Sequence, residues 1–250
     1  MSDRMPGRGA GRPGPGAGQR TLRLAHRGDH RAAPENTLAA LRAALAVPGC
    51  DGLEFDVRLS HDRVPVLLHD ETLARVQGRP GRAADLTAAE LAAFGVPTLA
   101  DVLANVPGTA FLDVELKVNV GAVVVEVLRA GRGPQLASAV VSSFEPSALA
   151  SVRMLEPTWP CWLNADEPSP ATLAIARELG CRGVSVEWRA IDEPGLERAR
   201  TAGLEVAAWT VTDPGVYERL ARLGVAAVCV EGAALEPDGT PDSRRRSSRS

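Results

Sequence analysis

The feature that most constrains the fold is a repeated alternation of short apolar, β-rich runs with amphipathic runs rich in Ala, Leu and Arg. This alternation is typical of βα units, in which a helix connects each strand to the next parallel strand. Eight strands are predicted at 21–26, 52–58, 110–116, 138–143, 158–163, 183–187, 205–210 and 225–230. Helices are predicted between them at 36–46, 98–105, 119–131, 146–154, 169–179, 192–202 and 213–222. Eight strands with helical crossovers indicate an α/β protein, a closed (β/α)₈ TIM barrel rather than an open doubly wound sheet.

The stretch 71–97 does not follow this repeat. It contains a loop, QGRPGR, and a short helical piece, LTAAELAAF, after an extended segment at 64–68. We interpret the stretch as a small insertion after the second strand. The length of 250 residues suits a single barrel of this type.

The two ends of the chain differ from the middle. Residues 1–20 are mainly Gly, Pro and Arg, and residues 236–250 end in RRRSSRS. Neither end has enough apolar side chains to offset the entropy of ordering, so we expect two disordered tails around a barrel domain at 21–235. Contact of the basic tails with RNA or anionic lipid is the alternative interpretation.

The net charge of −3 conceals a more acidic body. The two tails together carry +4, which leaves −7 for residues 21–235 and argues against a broad nucleic-acid-binding face. No window approaches the roughly 18 apolar residues of a membrane span, and the first residues lack the apolar region of a signal peptide. We therefore expect no membrane span and a cytoplasmic location.

The cysteines are spaced too widely to suggest a metal site. They lie at positions 50, 161, 181 and 229, with no Cys-x-x-Cys pair. We expect reduced core residues rather than disulfides or metal ligands.

Polar residues close several of the predicted strands, at the end where the active sites of such barrels assemble. These segments are Ala25-His26-Arg27-Gly28 after the first strand, Glu54-Phe55-Asp56 in the second, His69-Asp70 after the extended segment and Glu115-Leu116-Lys117 after the third. Because successive side chains of a strand point to opposite faces, Glu54 and Asp56 share one face, and so do Glu115 and Lys117. Both pairs are expected to face the same barrel mouth.

Three carboxylates converging on one mouth would repel one another unless a cation lay between them. Their hard oxygen ligands suit Ca²⁺ or Mg²⁺, so Glu54, Asp56 and Glu115 are the candidate ligands of one divalent cation. The alternative is that these carboxylates pair with Arg or Lys around the rim.

Two histidines, His26 and His69, close different extended segments beside this cluster. A lone histidine at a strand end is usually structural, but two near carboxylates suggest that one takes a proton and the other donates one. Arg27 and Lys117 would then contact phosphate oxygens. His30 and His61 lie in loops and are assigned no chemistry.

The motifs around these residues resemble those of the glycerophosphodiester phosphodiesterase family. The string HRGDHRAAPENTLAAL resembles the opening signature, and LEFDVRLSHDRVPVLLHDETLARV resembles the second. Further matches are Pro97-Thr98-Leu99, Glu115-x-Lys117, Ser142-Ser143-Phe144 and Trp209-Thr210-Val211. Together they span residues 22–232, nearly all of the chain between the tails.

The resemblance implies a role for each matched position. It implies that His26 and His69 form the acid/base pair, that Glu54, Asp56 and Glu115 bind the metal, and that Arg27 and Lys117 bind phosphate. In this family the insertion caps the barrel mouth, and the short 71–97 segment with few aromatic residues favours a small head group over a long lipid. Trp209 is expected either to line the pocket or to pack inside the barrel.

One motif departs from the family pattern. The last strand usually ends in Thr-Asp followed by Pro, whereas this chain has Val230-Glu231-Gly232. We interpret this position as peripheral to the chemistry.

The expected function is metal-dependent hydrolysis of glycerophosphodiesters to glycerol phosphate and an alcohol. The nucleophile is either water or the neighbouring glycerol hydroxyl. The alternatives are a related barrel phosphodiesterase of the sphingomyelinase D type, and an inactive barrel that binds an anionic metabolite.

Overall fold

Nine β-strands form one sheet that closes on itself in the computed structural model, which describes residues 20–237. The strands are β1 (Leu22–His26), β2 (Gly52–Leu59), β3 (Pro65–Leu67), β4 (Phe111–Leu116), β5 (Ala139–Ser143), β6 (Cys161–Ala165), β7 (Gly183–Glu187), β8 (Glu205–Val211) and β9 (Ala227–Val230). Eight of them are parallel, and β1 pairs with both β9 and β2, which closes the barrel. The predicted TIM barrel is therefore confirmed.

Helices cover the outside of this barrel. They are α1 (Leu38–Leu45), α2 (Ala74–Gln77), α3 (Ala88–Ala92), α4 (Leu99–Asn105), α5 (Gly121–Arg132), α6 (Pro146–Leu155), α7 (Pro170–Glu178), α8 (Glu193–Thr201) and α9 (Pro214–Leu223). Side chains cap several of them: Thr37 accepts a hydrogen bond from the backbone of α1, and Asp213 does so for α9. All seven predicted helical runs form helices.

The main core lies between the strands and the surrounding helices. Leu53, Phe55 and Val57 of β2 point outward and are fully buried, as are Leu41 and Leu99 from two of the helices. The alternate side chains of the same strands point into the barrel, which is why Glu54 and Asp56 face its interior.

The insertion has a small core of its own. β3 pairs antiparallel with the last residues of β2, Val57–Leu59, beyond most of the segment that pairs with β4. Leu68 and Leu73, which precede α2, and Leu91 of α3 are buried together in a separate cluster. The insertion is thereby fixed at the carboxyl end of β2, where the candidate site lies.

The predicted strand at 158–163 is displaced, since β6 begins at Cys161. Trp159 is buried outside the sheet and donates its indole N–H to the Pro134 carbonyl, 2.9 Å away. Pro160 has no backbone N–H to donate, so the ladder begins after it.

Most of the predicted tails, residues 1–19 and 238–250, lie outside the described residues. Arg20 forms an ion pair with Asp51, and Glu236 accepts a hydrogen bond from Arg31 at 2.7 Å. The innermost tail residues therefore contact the barrel, and the boundaries at 21 and 235 stay a prediction.

All four cysteines lie within the described residues. Cys161, Cys181 and Cys229 are buried, Cys50 is half-buried, and all four are free thiols. Between residues 20 and 237, no helix has the length and apolar character needed to span a membrane. The cytoplasmic location stays a prediction.

Candidate active site

A cavity of about 220 Å³ opens at the carboxyl ends of the strands and brings together the polar residues singled out in the sequence. Its lining includes His26, Arg27, Glu54, His69, Glu115, Lys117 and Trp209. Asp56 is fully buried directly behind the cavity wall and contacts both Arg27 and Lys117. All eight candidate side chains therefore meet at one place.

A larger cavity, of about 390 Å³, lies at the opposite end of the barrel. Its charged groups are already paired: Arg182 is 2.8 Å from Glu205, and the Trp162 indole donates to the same carboxylate. We therefore take the smaller cavity, where several polar groups have no such partner, as the candidate active site.

The loop after β1 has an unusual backbone that positions two site residues. Arg27 and Asn36 both have positive φ, 57° and 56°, a conformation that is costly for residues other than glycine. Gly28 has a φ of 90°, and a Cβ atom there would lie 2.6 Å from the Ala40 carbonyl carbon. The loop thus turns back on α1, which explains why glycine follows the His-Arg pair.

The three candidate metal ligands form a tight buried cluster. Each of Glu54, Asp56 and Glu115 places an oxygen within 4.8 Å of the others. Asp56 and Glu115 are direct neighbours across β2 and β4, so strand register alone brings them together. Burial, together with the charges of Asp56 and Glu115, raises the pKa of Glu54 well above its ordinary value.

Two basic side chains neutralise part of this cluster. Lys117 Nζ lies 2.5 Å from Glu115 and 3.2 Å from Asp56, and Arg27 Nε lies 2.9 Å from Asp56. Asn36 also donates a hydrogen bond to Asp56 at 2.8 Å. Burial opposes ionisation of Asp56, but the charges of Arg27 and Lys117 outweigh it and lower the pKa of this carboxyl.

Glu54 is the carboxylate that these cations leave uncompensated. It forms no ion pair with Arg or Lys among residues 20–237, and its Oε1 is buried without a hydrogen-bond partner. The pairing alternative therefore describes Asp56 and Glu115. Glu54 accepts a hydrogen bond from the Arg27 backbone N–H at its Oε2, 3.3 Å away, but it has no cationic side chain to compensate its buried charge. The oxygen-only donor set fits a hard divalent cation.

His26 is held by a carboxylate that the sequence interpretation undervalued. Its Nδ1 forms a hydrogen bond with Glu231, so this nitrogen carries the proton, and Nε2 lies 3.7 Å from Glu54. Burial lowers the pKa of His26, although the bond to Glu231 opposes that shift. The interpretation of Glu231 as peripheral is therefore wrong, because a residue just past a strand end can reach back to the neighbouring strand.

His69 has an equivalent arrangement. Its Nδ1 lies 2.7 Å from Asp70, whose other oxygen accepts a hydrogen bond of 2.7 Å from Arg75. The hydrogen bond from Arg75 lowers the pKa of Asp70 to about 2, so Asp70 is a carboxylate at neutral pH. His30 and His61, assigned no chemistry, are both exposed, although the His30 ring centroid is 6.4 Å from that of His26.

Trp209 lies between the cavity and the barrel wall, and its role towards a substrate stays a prediction. It lines the cavity, its indole N–H donates to the Ser185 carbonyl at 3.0 Å, and its ring meets Phe144 edge-on at 5.6 Å. The ring is therefore a cavity wall fixed by a backbone contact.

Asp113 is a site residue that the motifs did not indicate. It is fully buried in the barrel, lines the cavity and accepts a hydrogen bond of 2.5 Å from Ser142. Burial, with the nearby charge of Glu115, raises its pKa to about 7. The alternation along β4 places positions 113 and 115 on one face, so strand periodicity contained this signal.

We expect Glu231→Ala to lower kcat by roughly 10- to 100-fold, because it removes a charged hydrogen bond that fixes the His26 tautomer and ring orientation. The loss should be accompanied by a shift of the pH–rate limb that reports His26. Glu236→Ala, which removes a half-buried carboxylate paired with Arg31 away from the cavity, is the control and should leave the rate unchanged. An unchanged pH profile in Glu231→Ala would show that the contact has no role in turnover.

Asp113→Asn should stabilise the metal-free protein at high pH. The folded-state pKa of about 7 lies above the ordinary 3.8, so the wild type loses stability as pH rises towards and through 7, when the buried carboxyl ionises. The variant should be more stable by up to about 4 kcal/mol at pH 8, with the difference vanishing near pH 4. Urea unfolding in EDTA at both pH values measures this, and a difference independent of pH would contradict it.

Comparison with known proteins identifies the class of enzyme to which this barrel belongs, the phosphoric diester hydrolases. The model of the Glycerophosphoryl diester phosphodiesterase family matches residues 26–233. The chain belongs to this family, as its sequence motifs predicted.

Individual relatives agree with this assignment. The chain is 28% identical over 230 residues to the glycerophosphodiester phosphodiesterase of Caldanaerobacter subterraneus, covering 82% of this chain and 92% of that protein. A phosphodiesterase from Oleispira antarctica, solved with the product sn-glycerol-3-phosphate, has a TM-score of 0.75 and 30% identity, covering 84% and 93% of the two chains. The glycerophosphodiester phosphodiesterase of Thermotoga maritima has a TM-score of 0.75 and 26% identity. The match covers 87% of this chain and 96% of that chain.

Proposed function

We propose that this enzyme hydrolyses small glycerophosphodiesters to glycerol phosphate and an alcohol, using His26 and His69 as its acid/base pair. The observation that carries the proposal is the pair of carboxylate–histidine contacts facing one cavity. In each pair the carboxylate forms a hydrogen bond with Nδ1 of the histidine, so Nε2 is free to accept or donate a proton.

We assign one divalent cation, Ca²⁺ or Mg²⁺, to the ligands Glu54, Asp56 and Glu115. The Oε1 of Glu54 has no hydrogen-bond partner, and the pKa of this residue is raised. Both observations support a cation bound beside this carboxylate. When bound, such a cation supplies Lewis-acid neutralisation of a phosphate oxygen. Arg27 and Lys117 line the same cavity and are proposed to bind the remaining phosphate oxygens.

The lowered pKa of His26 keeps its ring neutral at pH 7, which suits acceptance of a proton at Nε2. We therefore assign His26 as the general base and His69 as the general acid that protonates the leaving alkoxide. The proton taken by His26 comes either from water or from the glycerol hydroxyl next to the ester.

The cavity volume favours a small substrate. About 220 Å³ with two aromatic walls, Phe144 and Trp209, suits a glycerol phosphate group rather than two acyl chains. The bound product in the Oleispira antarctica relative supports the same class. This favours a glycerophosphodiesterase over the sphingomyelinase D alternative.

A substrate panel tests the proposal. Purified protein with Ca²⁺ or Mg²⁺ should release glycerol phosphate from glycerophosphocholine and leave sphingomyelin vesicles intact. Release of choline from sphingomyelin alone would favour the alternative enzyme, and binding of glycerophosphocholine without turnover would favour an inactive barrel.

A further inference from the structure

The floor of the active-site cavity has a polar pair that the proposed chemistry does not use. Asn164 of β6 and Ser185 of β7 line the buried side of the cavity, and the two residues are direct neighbours across these strands. Both are buried, with 6% and 2% exposure. Strand register therefore holds both side chains on the inner face.

Asn164 lacks a hydrogen bond that its burial requires. Its Oδ1 is buried and has no hydrogen-bond partner among the described residues. Buried amide oxygens are nearly always paired, and an unpaired one is costly. The oxygen can accept a hydrogen bond but cannot donate one, so its missing partner is a donor group.

The position of this oxygen indicates which part of a substrate would meet it. Phosphate oxygens are acceptors and belong beside Arg27 and Lys117. On the other side of Lys117 and His69 lies a more open recess of about 350 Å³, lined also by Arg58 and Glu71, which offers the leaving alcohol a route to solvent. The enclosed floor at Asn164 is left for the glycerol end.

We infer that Asn164 and Ser185 form a subsite for the glycerol hydroxyl farthest from the phosphate ester, and so select for glycerol esters. This rests on the proposed glycerophosphodiesterase function. The Asn164 oxygen accepts a hydrogen bond from this glycerol hydroxyl, and the Ser185 hydroxyl provides a second polar contact. Trp209, which donates to the Ser185 carbonyl, joins this floor to the cavity wall.

The test compares two substrates, glycerophosphocholine and 2-hydroxypropyl phosphocholine. The second lacks the distal hydroxyl but keeps the hydroxyl next to the ester. Wild-type enzyme should prefer glycerophosphocholine by roughly 10- to 100-fold in kcat/KM, because the analogue leaves Asn164 unpaired.

Asn164→Leu should lose most of that preference: kcat/KM should fall roughly 10- to 100-fold on glycerophosphocholine and by less than about threefold on the analogue. Ser185→Ala should show a smaller loss with the same substrate dependence, and it serves as the second variant if Asn164→Leu folds poorly. Asn105→Leu, at an exposed position of α4, should change neither value.

The subsite would be overturned if Asn164→Leu lost kcat/KM equally on both substrates, or if the wild type did not prefer glycerophosphocholine over the analogue. Asn164 would then pair with water rather than with the substrate. Failure of the proposed function is distinct, since the wild type would then cleave neither compound.

Discussion

Replacing either His26 or His69 with alanine should lower kcat on glycerophosphocholine by roughly 10²- to 10⁴-fold, or about 3 to 5 kcal/mol of activation free energy. Each ring is tied to a carboxylate through Nδ1, so its loss removes a positioned proton carrier. Folding should survive, because both rings lie at the cavity rather than in the main core. Steady-state kinetics and thermal melting measure the two effects.

The double variant should lose less than the product of the two single losses, since groups that act in one turnover are not additive. His61→Ala is the control, because this histidine is exposed and does not line the cavity. The wild-type rate should follow a bell-shaped pH dependence, with the low limb reporting His26. A near-wild-type rate in His26→Ala would remove this residue from the mechanism.

Chelation should lower turnover by about 10³-fold or more, and Ca²⁺ or Mg²⁺ should restore it, because Glu54 forms no ion pair with an Arg or Lys side chain in the described structure. Glu54→Gln should cause a loss of similar size without chelator. Cation should also raise the Tm of the wild type, since it binds only the folded cluster, and should raise that of Glu54→Gln much less.

Glu197→Gln is the matched control for this series. Glu197 is an exposed helix carboxylate paired with Arg200, so its loss should alter neither the rate nor the cation-dependent Tm. A cation that raised the Tm of Glu54→Gln as much as that of the wild type would place the ion elsewhere.

The sequence predicted the barrel because its signal is local. Apolar runs and amphipathic runs differ in period, and the polar residues that close a strand necessarily gather at one end of a parallel barrel. Glu54, Asp56 and Glu115 are therefore readable from position alone, and the tight cluster follows from the register of β2 and β4.

The partners of these residues were not readable in the same way. Arg75 of the insertion bridges Glu35 of the first loop and Asp70 beside His69, at 2.7 Å in each case. Glu231 reaches His26 from 205 positions away. Such contacts depend on how the loops fold over the barrel mouth, and the hydrophobic periodicity of the sequence does not predict loop conformation.

The sequence also missed residues whose types are unremarkable. Asp113 and Asn164 occupy inward positions of ordinary strands, and only barrel closure makes them cavity floor. The displaced start of β6 is a similar case, because the burial of Trp159 depends on a contact with Pro134.

The central claim, metal-dependent cleavage of a glycerophosphodiester, is tested most directly by ³¹P NMR of glycerophosphocholine incubated with EDTA-dialysed enzyme, before and after addition of Ca²⁺ or Mg²⁺. We predict that the diester signal persists without cation and converts to glycerol phosphate once the cation is present. Full conversion in excess EDTA, or the appearance of phosphocholine in place of glycerol phosphate, would contradict the account.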